Sequence, residues 1–269
     1  MMVDGMALDR SGKSSFDEVA SLYDEVRPGY PERLIEDTIT LSGIPDGGQI
    51  LEVGCGPGKA TIPFARRGYQ MLCLELGGQL ARLAAQNLAA YSRVTVANVA
   101  FEAWPLQPAA FNLVLSAEAW HWIAPDVGYR RAATALRPGG ALALCWHQQP
   151  LPDTPFYRAL VDLYAEKAPE PLLVAHPDPD GLITETVTAI DTSGFFGEVD
   201  VRTYWWTATY SSGQYLKLLN TYSMYRALEA DVRERLLVAV AKLVAEFGGV
   251  VERPYRTVLY VARRGSAAG

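Results

Sequence analysis

The sequence predicts an α/β chain with a doubly wound sheet, in which parallel strands carry helices on both faces. Two observations lead there. Between residues 45 and 147, short apolar runs alternate with segments of helical periodicity. The first run, Ile50-Leu51-Glu52-Val53, breaks into Gly54-Cys55-Gly56-Pro57-Gly58, and a helix-forming stretch from Ala60 to Arg67 follows. A strand that ends in such a turn suits a nucleotide-like ligand, because glycine lets backbone bend tightly and approach closely.

Spacing narrows the ligand class. A phosphate-binding Walker loop would need glycine at Val53 and Ser or Thr at Ala60, so that reading fails. A dinucleotide fingerprint would need a third glycine where Lys59 stands, which weakens it. What remains, Glu52-Val53-Gly54-Cys55-Gly56-Pro57-Gly58, resembles motif I of the class I S-adenosylmethionine-dependent methyltransferases. The resemblance implies that Glu52 faces the cofactor's methionine amino group, with Gly54, Cys55, Gly56 and Gly58 around it. It also implies a Rossmann-like seven-stranded sheet of order 3-2-1-4-5-7-6 with the last strand antiparallel. Charge agrees, since a carboxylate buried at a strand end needs a cation or donors, and this cofactor brings an ammonium and a sulfonium.

Composition sets the outer limits. A chain of 269 residues with 49% hydrophobic content can bury one large domain, or a domain with an appended subdomain. A net charge of -6 without a basic run argues against a protein that grips nucleic acid. No leader-like pattern and no apolar segment of roughly twenty residues is seen, so a cytoplasmic protein without a membrane span is expected. Cys55, Cys73 and Cys145 read as reduced, buried thiols, and His121, His147 and His176 lack metal-ligand spacing.

In chain order, residues 1–15 are polar and small and are expected to be disordered. Residues 16–147 form the expected cofactor-binding core. From Phe16, Val19, Leu22, Tyr23 and Val26 have helical spacing that stops at Arg27-Pro28-Gly29, and a second helix spans about 31–41. Tyr23-Asp24-x-x-Arg27-Pro28-Gly29-Tyr30-Pro31 resembles the N-terminal segment of the type 11 methyltransferase group, trans-aconitate-methyltransferase-like members included. That likeness implies closure of Tyr23 and Arg27 over the methionine end, for which a planar guanidinium fork and an aromatic ring are suited.

Gln70–Glu75 is a second apolar run ending in an acid, placed where a doubly wound fold puts the carboxylate that receives ribose hydroxyls. The resemblance sets Leu76 and Gln79 beside Glu75. A helix over 80–90 and a strand over 94–97 follow. Glu102-Ala103-Trp104-Pro105-Leu106 resembles the family segment at the adenine edge, with Ala100 where an acid often stands, so Phe101 and Glu102 carry the expected adenine contacts. Strand four, Phe111–Ala117, has Asn112 in place of the family's Asp, pointing to a structural job there.

Ligands of such sheets sit beyond the C-terminal strand ends, so Ala117 is expected at the cofactor and Trp120-His121-Trp122 at the transferred methyl group. His121 is the candidate base, its ordinary pKa near 6.5 suiting proton removal. Methyl transfer from a sulfonium is an in-line displacement for which alignment can suffice, so a binding-wall or packing role stays open. Leu136–Gly140 reads as a helix end and a Pro-Gly-Gly turn before strand five, and His147 is placed with Trp120, Trp122 and Tyr222 on the substrate side.

Residues 148–194 read as an excursion over the active-site face with one helix over 155–167, and 195–264 as the last strands with a helical lid at about 211–249. Tyr215, Tyr222 and Tyr225 have one-face helical spacing, and of the adjacent Trp205 and Trp206 at most one can face the pocket. The expected reaction is methyl transfer from S-adenosylmethionine to oxygen, nitrogen or carbon of a small molecule. The aromatics favour an apolar acceptor, whereas a carboxylate would need a further cation, Arg226 or Lys217. A nicotinamide-dependent oxidoreductase and a catalytically silent S-adenosylmethionine-binding regulator are the alternatives.

Overall fold

The computed structural model describes residues 19–168 and 178–265. Its seven strands are β1 (Gln49–Val53), β2 (Gln70–Glu75), β3 (Val94–Asn98), β4 (Phe111–Ala117), β5 (Leu136–Gln148), β6 (Phe196–Ser211) and β7 (Val250–Arg264). They form one sheet of order β3-β2-β1-β4-β5-β7-β6. The first five pair in parallel, and β7 runs antiparallel to both β5 and β6, as expected. Successive β1 side chains alternate between the faces: Leu51 and Val53 enter one core layer and Ile50 the other. Both faces are covered, which is why these strands read as continuous apolar runs rather than alternating ones.

Helices α1 (Ala20–Val26), α2 (Glu32–Ser42), α3 (Thr61–Arg66), α4 (Gly78–Asn87) and α5 (Pro125–Ala135) cover the parallel strands. After β5 come α6 (Pro155–Lys167) and α7 (Pro179–Thr192). Between β6 and β7 lie α8 (Ser212–Leu219), α9 (Ser223–Arg226) and α10 (Ala230–Glu246). With α6 these last three enclose a third apolar cluster rich in tyrosine, including Tyr157, Tyr164, Tyr215, Tyr222 and Tyr225. No helix among the described residues is long and apolar enough to cross a membrane.

Several elements depart from expectation. The disordered tail expected at 1–15, and the start of the first helix at Phe16, lie outside the described residues. Pro138-Gly139-Gly140 is not a turn ahead of β5 but a bulge within it: pairing jumps from Phe111 opposite Leu136 to Leu113 opposite Ala141, with Gly139 at φ 76°. Helix α7 has weak apolar periodicity, yet the Asp178 side chain caps it by accepting from Gly181 N at 2.7 Å. β7 starts at Val250, ahead of the final strand expected over 255–262, because Pro254 pairs only with Thr207 of β6, beyond the point where β5 has ended. Tyr215, Tyr222 and Tyr225 are split between α8, its exit turn and α9, so they share a cluster and not one helix face. Asn112 has the structural job inferred for it, its Oδ1 accepting from Gln49 N at 3.0 Å at the end of the sheet remote from the glycine turn.

Gly54, Gly56 and Gly58 all adopt positive φ, at 72°, 54° and 96°. The amides of Gly54 and Cys55 both donate to Leu74 O, at 2.8 and 3.1 Å, so the turn folds back over the end of β2. A Cβ at Gly54 would stand 2.3 Å from the Ala119 Cβ. Gly54→Ala is therefore expected to lower unfolding free energy by roughly 3 kcal/mol, from left-handed strain and overpacking together. Urea unfolding checks this, and a loss below about 0.5 kcal/mol would mean that the turn relaxes freely.

Candidate functional site

The C-terminal ends of β1, β2 and β4 open into a cleft lined by Gly54, Gly56, Glu75, Leu76, Phe101, Glu102, Ala117, His121 and Trp122. Such a cleft is where sheets of this kind take their ligands. Glu75 is its fixed point. One carboxylate oxygen accepts from Gly56 N and the other from Gly77 N, each at 2.8 Å. A carboxylate has about four acceptor sites, so both oxygens keep capacity toward the cleft. Asn98 was missed in the sequence: its Nδ2 donates to Glu75 O and Leu76 O, at 2.9 and 2.8 Å, and fixes the end of β2. A Cβ built on Gly56 would meet nothing within 4 Å, so this position is open toward ligand space.

A second chamber continues from the cleft, lined by Tyr23, Arg27, Tyr30, Glu52, Cys55, Glu118, His147, Gln149, Tyr222 and Tyr255. Glu52 is buried at its floor. Oε2 accepts from Thr61 Oγ1 at 2.7 Å, while Oε1 has no hydrogen-bond partner. Burial pushes its carboxyl up from the usual range to about 7. A hydrogen bond with Cys73 and burial likewise raise the Cys55 thiol, which disfavours the thiolate a nucleophile needs.

The roof of this chamber is a set of ties. Arg27 donates from Nε to Thr221 Oγ1 at 2.8 Å and from Nη2 to Thr221 O at 3.0 Å, with its guanidinium 4.2 Å from the Tyr222 ring. Lys59, which no Walker loop claims, donates to Asp24 O at 2.6 Å, a carbonyl near the C-terminus of α1. Asn87 joins Asp24 Oδ2 to Pro57 O, both at 3.0 Å.

Sequence reasoning also passed over Glu118. It lies in both chambers at φ 62°, an unfavourable conformation for a non-glycine residue, and its Oε1 accepts from His147 N. His147 stacks on Tyr30, ring centroids 4.8 Å apart. Thr257 Oγ1 accepts from Trp206 Nε1 at 2.8 Å and lies within hydrogen-bond reach of His147 Nδ1, at 2.7 Å. The other ring nitrogen, Nε2, is buried without a partner, and burial with the nearby Arg27 charge lowers the ring's pKa to about 3.

His121 lines the main cleft, as expected of it, but not in the state a base requires. Its Nδ1 accepts from Trp146 Nε1 at 3.1 Å, and an indole can only donate. The ring proton is therefore on Nε2, and burial lowers the pKa to about 4. Trp122 lines the cleft beside it. Trp120, expected on the substrate side, is instead 3% exposed in the core and packs on Tyr129 at 5.5 Å, because the 3-10 turn over Trp120–Trp122 sends its residues to different sides. Gly58 lies off the cleft against Leu88. Gln79 is exposed on α4, and Leu80 lines the cleft in its stead. Trp205 is 65% exposed, whereas Trp206 stacks on Tyr255 behind the second chamber. The predicted His176 lies outside the described residues. No group of His, Cys, Asp and Glu suited to a metal occurs among the described residues.

Residues 50–140 match the family model described as a methyltransferase domain. An uncharacterised methyltransferase of Mycobacterium tuberculosis is 30% identical over 133 residues, 49% of this chain and 52% of the relative. A solved protein from Anaeromyxobacter dehalogenans, described as a type II methyltransferase, is 25% identical with a TM-score of 0.58 over 88% of this chain and 96% of that one. The core of this chain is a class I S-adenosylmethionine-dependent methyltransferase domain. The chain spans about half the length of the curated relatives it matches. The fold also matches, at 15% identity and a TM-score of 0.56 over 97% of this chain and 61% of that one, phosphoethanolamine N-methyltransferase 2 of Haemonchus contortus, which was solved with S-adenosyl-L-methionine.

The methyltransferase domain offers groups that fit this cofactor. Glu52 Oε1 is an orphaned buried acceptor, suited to an ammonium, and Glu75 presents acceptor capacity to hydroxyl groups. Glu52 also gives a stability signature. Its folded pKa of about 7 lies above the unfolded value of 4.5, so its contribution is fully present below pH 4.5 and is lost as pH rises through 7. For the ligand-free methyltransferase the loss amounts to about 2–3 kcal/mol. Urea unfolding between pH 5 and 8 should show it, and Glu52→Gln should flatten the slope. Parallel slopes in the two proteins would refute the shift.

Proposed function

We propose that this protein transfers the methyl group of S-adenosylmethionine to a small-molecule acceptor held under the helical lid. The observation that carries the reading is the pairing of the backbone-fixed Glu75 with the buried, half-satisfied Glu52 at opposite ends of the glycine turn. In this reading Glu75 takes the ribose hydroxyls and Glu52 the amino group. Leu76, Phe101 and Glu102 border the base, while Tyr23, Arg27, Gly54, Cys55, Gly56 and Ala117 complete the cofactor site. When bound, the cofactor supplies an electrophilic methyl group on a sulfonium. The protein's contribution is then alignment of the acceptor and exclusion of water by the tyrosine-rich lid.

His121 is assigned to the binding wall, as an Nε2–H donor, rather than to proton removal. His147, Trp122 and Tyr222 form the acceptor side with it. A required base would have to be sought on the acceptor itself, whose accepting atom is then already nucleophilic.

Calorimetry tests the cofactor assignment. S-adenosylhomocysteine should bind and NADH should not, and Glu75→Ala should weaken S-adenosylhomocysteine more than tenfold. NADH binding without S-adenosylhomocysteine binding would favour an oxidoreductase. Tight binding of methyl-labelled S-adenosylmethionine with no labelled product across a broad metabolite panel would favour a silent binding protein. For His121, nitrogen-detected NMR should find the neutral Nε2–H tautomer from pH 5.5 to 8. A ring that titrates near 6.5 would restore the base.

A further inference from the structure

The ends of β5, β6 and β7 beyond the cleft share one face beneath the lid. Register sets His147 opposite Thr257, and alternation then brings Tyr255 and Arg253 onto the same side of β7, with Trp206 and Ala208 of β6 across from them. Arg253 is the one arginine or lysine in the buried set among the described residues, at 7% exposure. Its Nη2 donates to Gln149 Oε1, its Nη1 reaches the Tyr215 hydroxyl only at 3.5 Å, and its buried Nε has no partner. The rings of Tyr222 and Tyr255 lie 5.5 and 5.8 Å from the guanidinium.

Several other arginines meet surface acids, as Arg33 does with Asp37 and Arg256 with Asp180. Lys217, a candidate cation for an acidic acceptor, pairs with Glu25 at 2.5 Å. Arg253 has no carboxylate partner among the described residues. A buried cation left in this state is costly, and its fork of five donors fits a planar anion. The groups around it, Gln149, Tyr222 and Tyr255, line the chamber that His147 and Arg27 border, and Arg253 stands directly behind them, its Nη2 reached from the chamber by displacing the Gln149 amide. Gln149 Oε1 puts a neutral oxygen where a carboxylate oxygen would sit.

We infer that the methyl acceptor is a small carboxylate on a flat apolar body, anchored by the Arg253 guanidinium against the Tyr222 and Tyr255 rings. This rests on the methyltransferase reading above. Arg253 anchors the acceptor and takes no part in the transfer.

The test uses the full chain loaded with S-adenosylhomocysteine and compares benzoate with benzamide by calorimetry. Benzoate should bind at least tenfold more tightly, about 1.4 kcal/mol. Arg253→Met should erase that preference while leaving S-adenosylhomocysteine affinity within twofold. If Arg253→Met does not fold, Gln149→Glu serves: an internal carboxylate at 149 should pair with Arg253, raise Tm and abolish the preference for benzoate. Equal affinities of the two probes for the wild-type protein, or a preference that survives in a folded variant, would overturn the carboxylate subsite. Failure of S-adenosylhomocysteine to bind the wild-type protein would instead strike the methyltransferase reading itself.

Discussion

Two backbone amides, those of Gly56 and Gly77, converge on the carboxylate of Glu75, and much of the molecule is arranged so that they can. Gly56 reaches it only because the turn after β1 runs through left-handed conformations and hangs on Leu74 O. Gly77 reaches it because β2 stops at Glu75, where Asn98 holds the last carbonyls. Charge-assisted bonds of this kind are stronger than neutral ones and do not require the ligand to be present. The cleft is thereby shaped before anything enters it, so less ordering remains to be done on binding.

Around that fixed point the chain leaves polar groups buried and incompletely matched. Glu52 Oε1, His147 Nε2 and Arg253 Nε each lack a partner, and all three belong to the lining of one chamber or to the shell directly behind it. Thr38 and Ser116, by contrast, are satisfied by Leu34 O and Val53 O, although Arg131 Nε, Gln148 Oε1, Asn220 Oδ1 and Arg256 Nε also lack partners. Unmatched groups facing a chamber destabilise the free protein locally and fit a site whose partners arrive from outside. Burial also lowers the pKa of both histidines of the site below the neutral range, so both rings are neutral there.

The lid is attached by polar clasps as well as by apolar packing. Arg27 binds Thr221, Lys217 meets Glu25, and the Tyr164 and Tyr225 hydroxyls bond to each other within its core. The N-terminal helix α1 is thus held by the glycine loop through Lys59 on one side and by the lid on the other. Both the Arg27–Thr221 and the Lys217–Glu25 ties join residues more than 190 positions apart in the chain.

The sheet and the cofactor end of the cleft were legible because their signals are local. Glycines that must adopt positive φ, an acid closing a strand, and apolar runs buried on both faces each follow from a few adjacent residues. The tyrosines, Trp120 and the cations were not legible, because which way a side chain faces in a short 3-10 turn or an interrupted helix is set by what packs against it. Glu118 could have been noticed as an acid immediately after a strand end, but its role depends on the His147 amide, 29 residues away. Arg253 gave no signal at all: in sequence it is one basic residue beside a proline, and only the pairing of β7 with β5 and β6 beneath the lid buries it. The sequence by itself determined the cofactor class, since that recognition rests on backbone conformation and a strand-end carboxylate. What the tertiary structure decided was the second chamber and the buried shell behind it, where the field at any atom sums contributions from segments that only folding brings together.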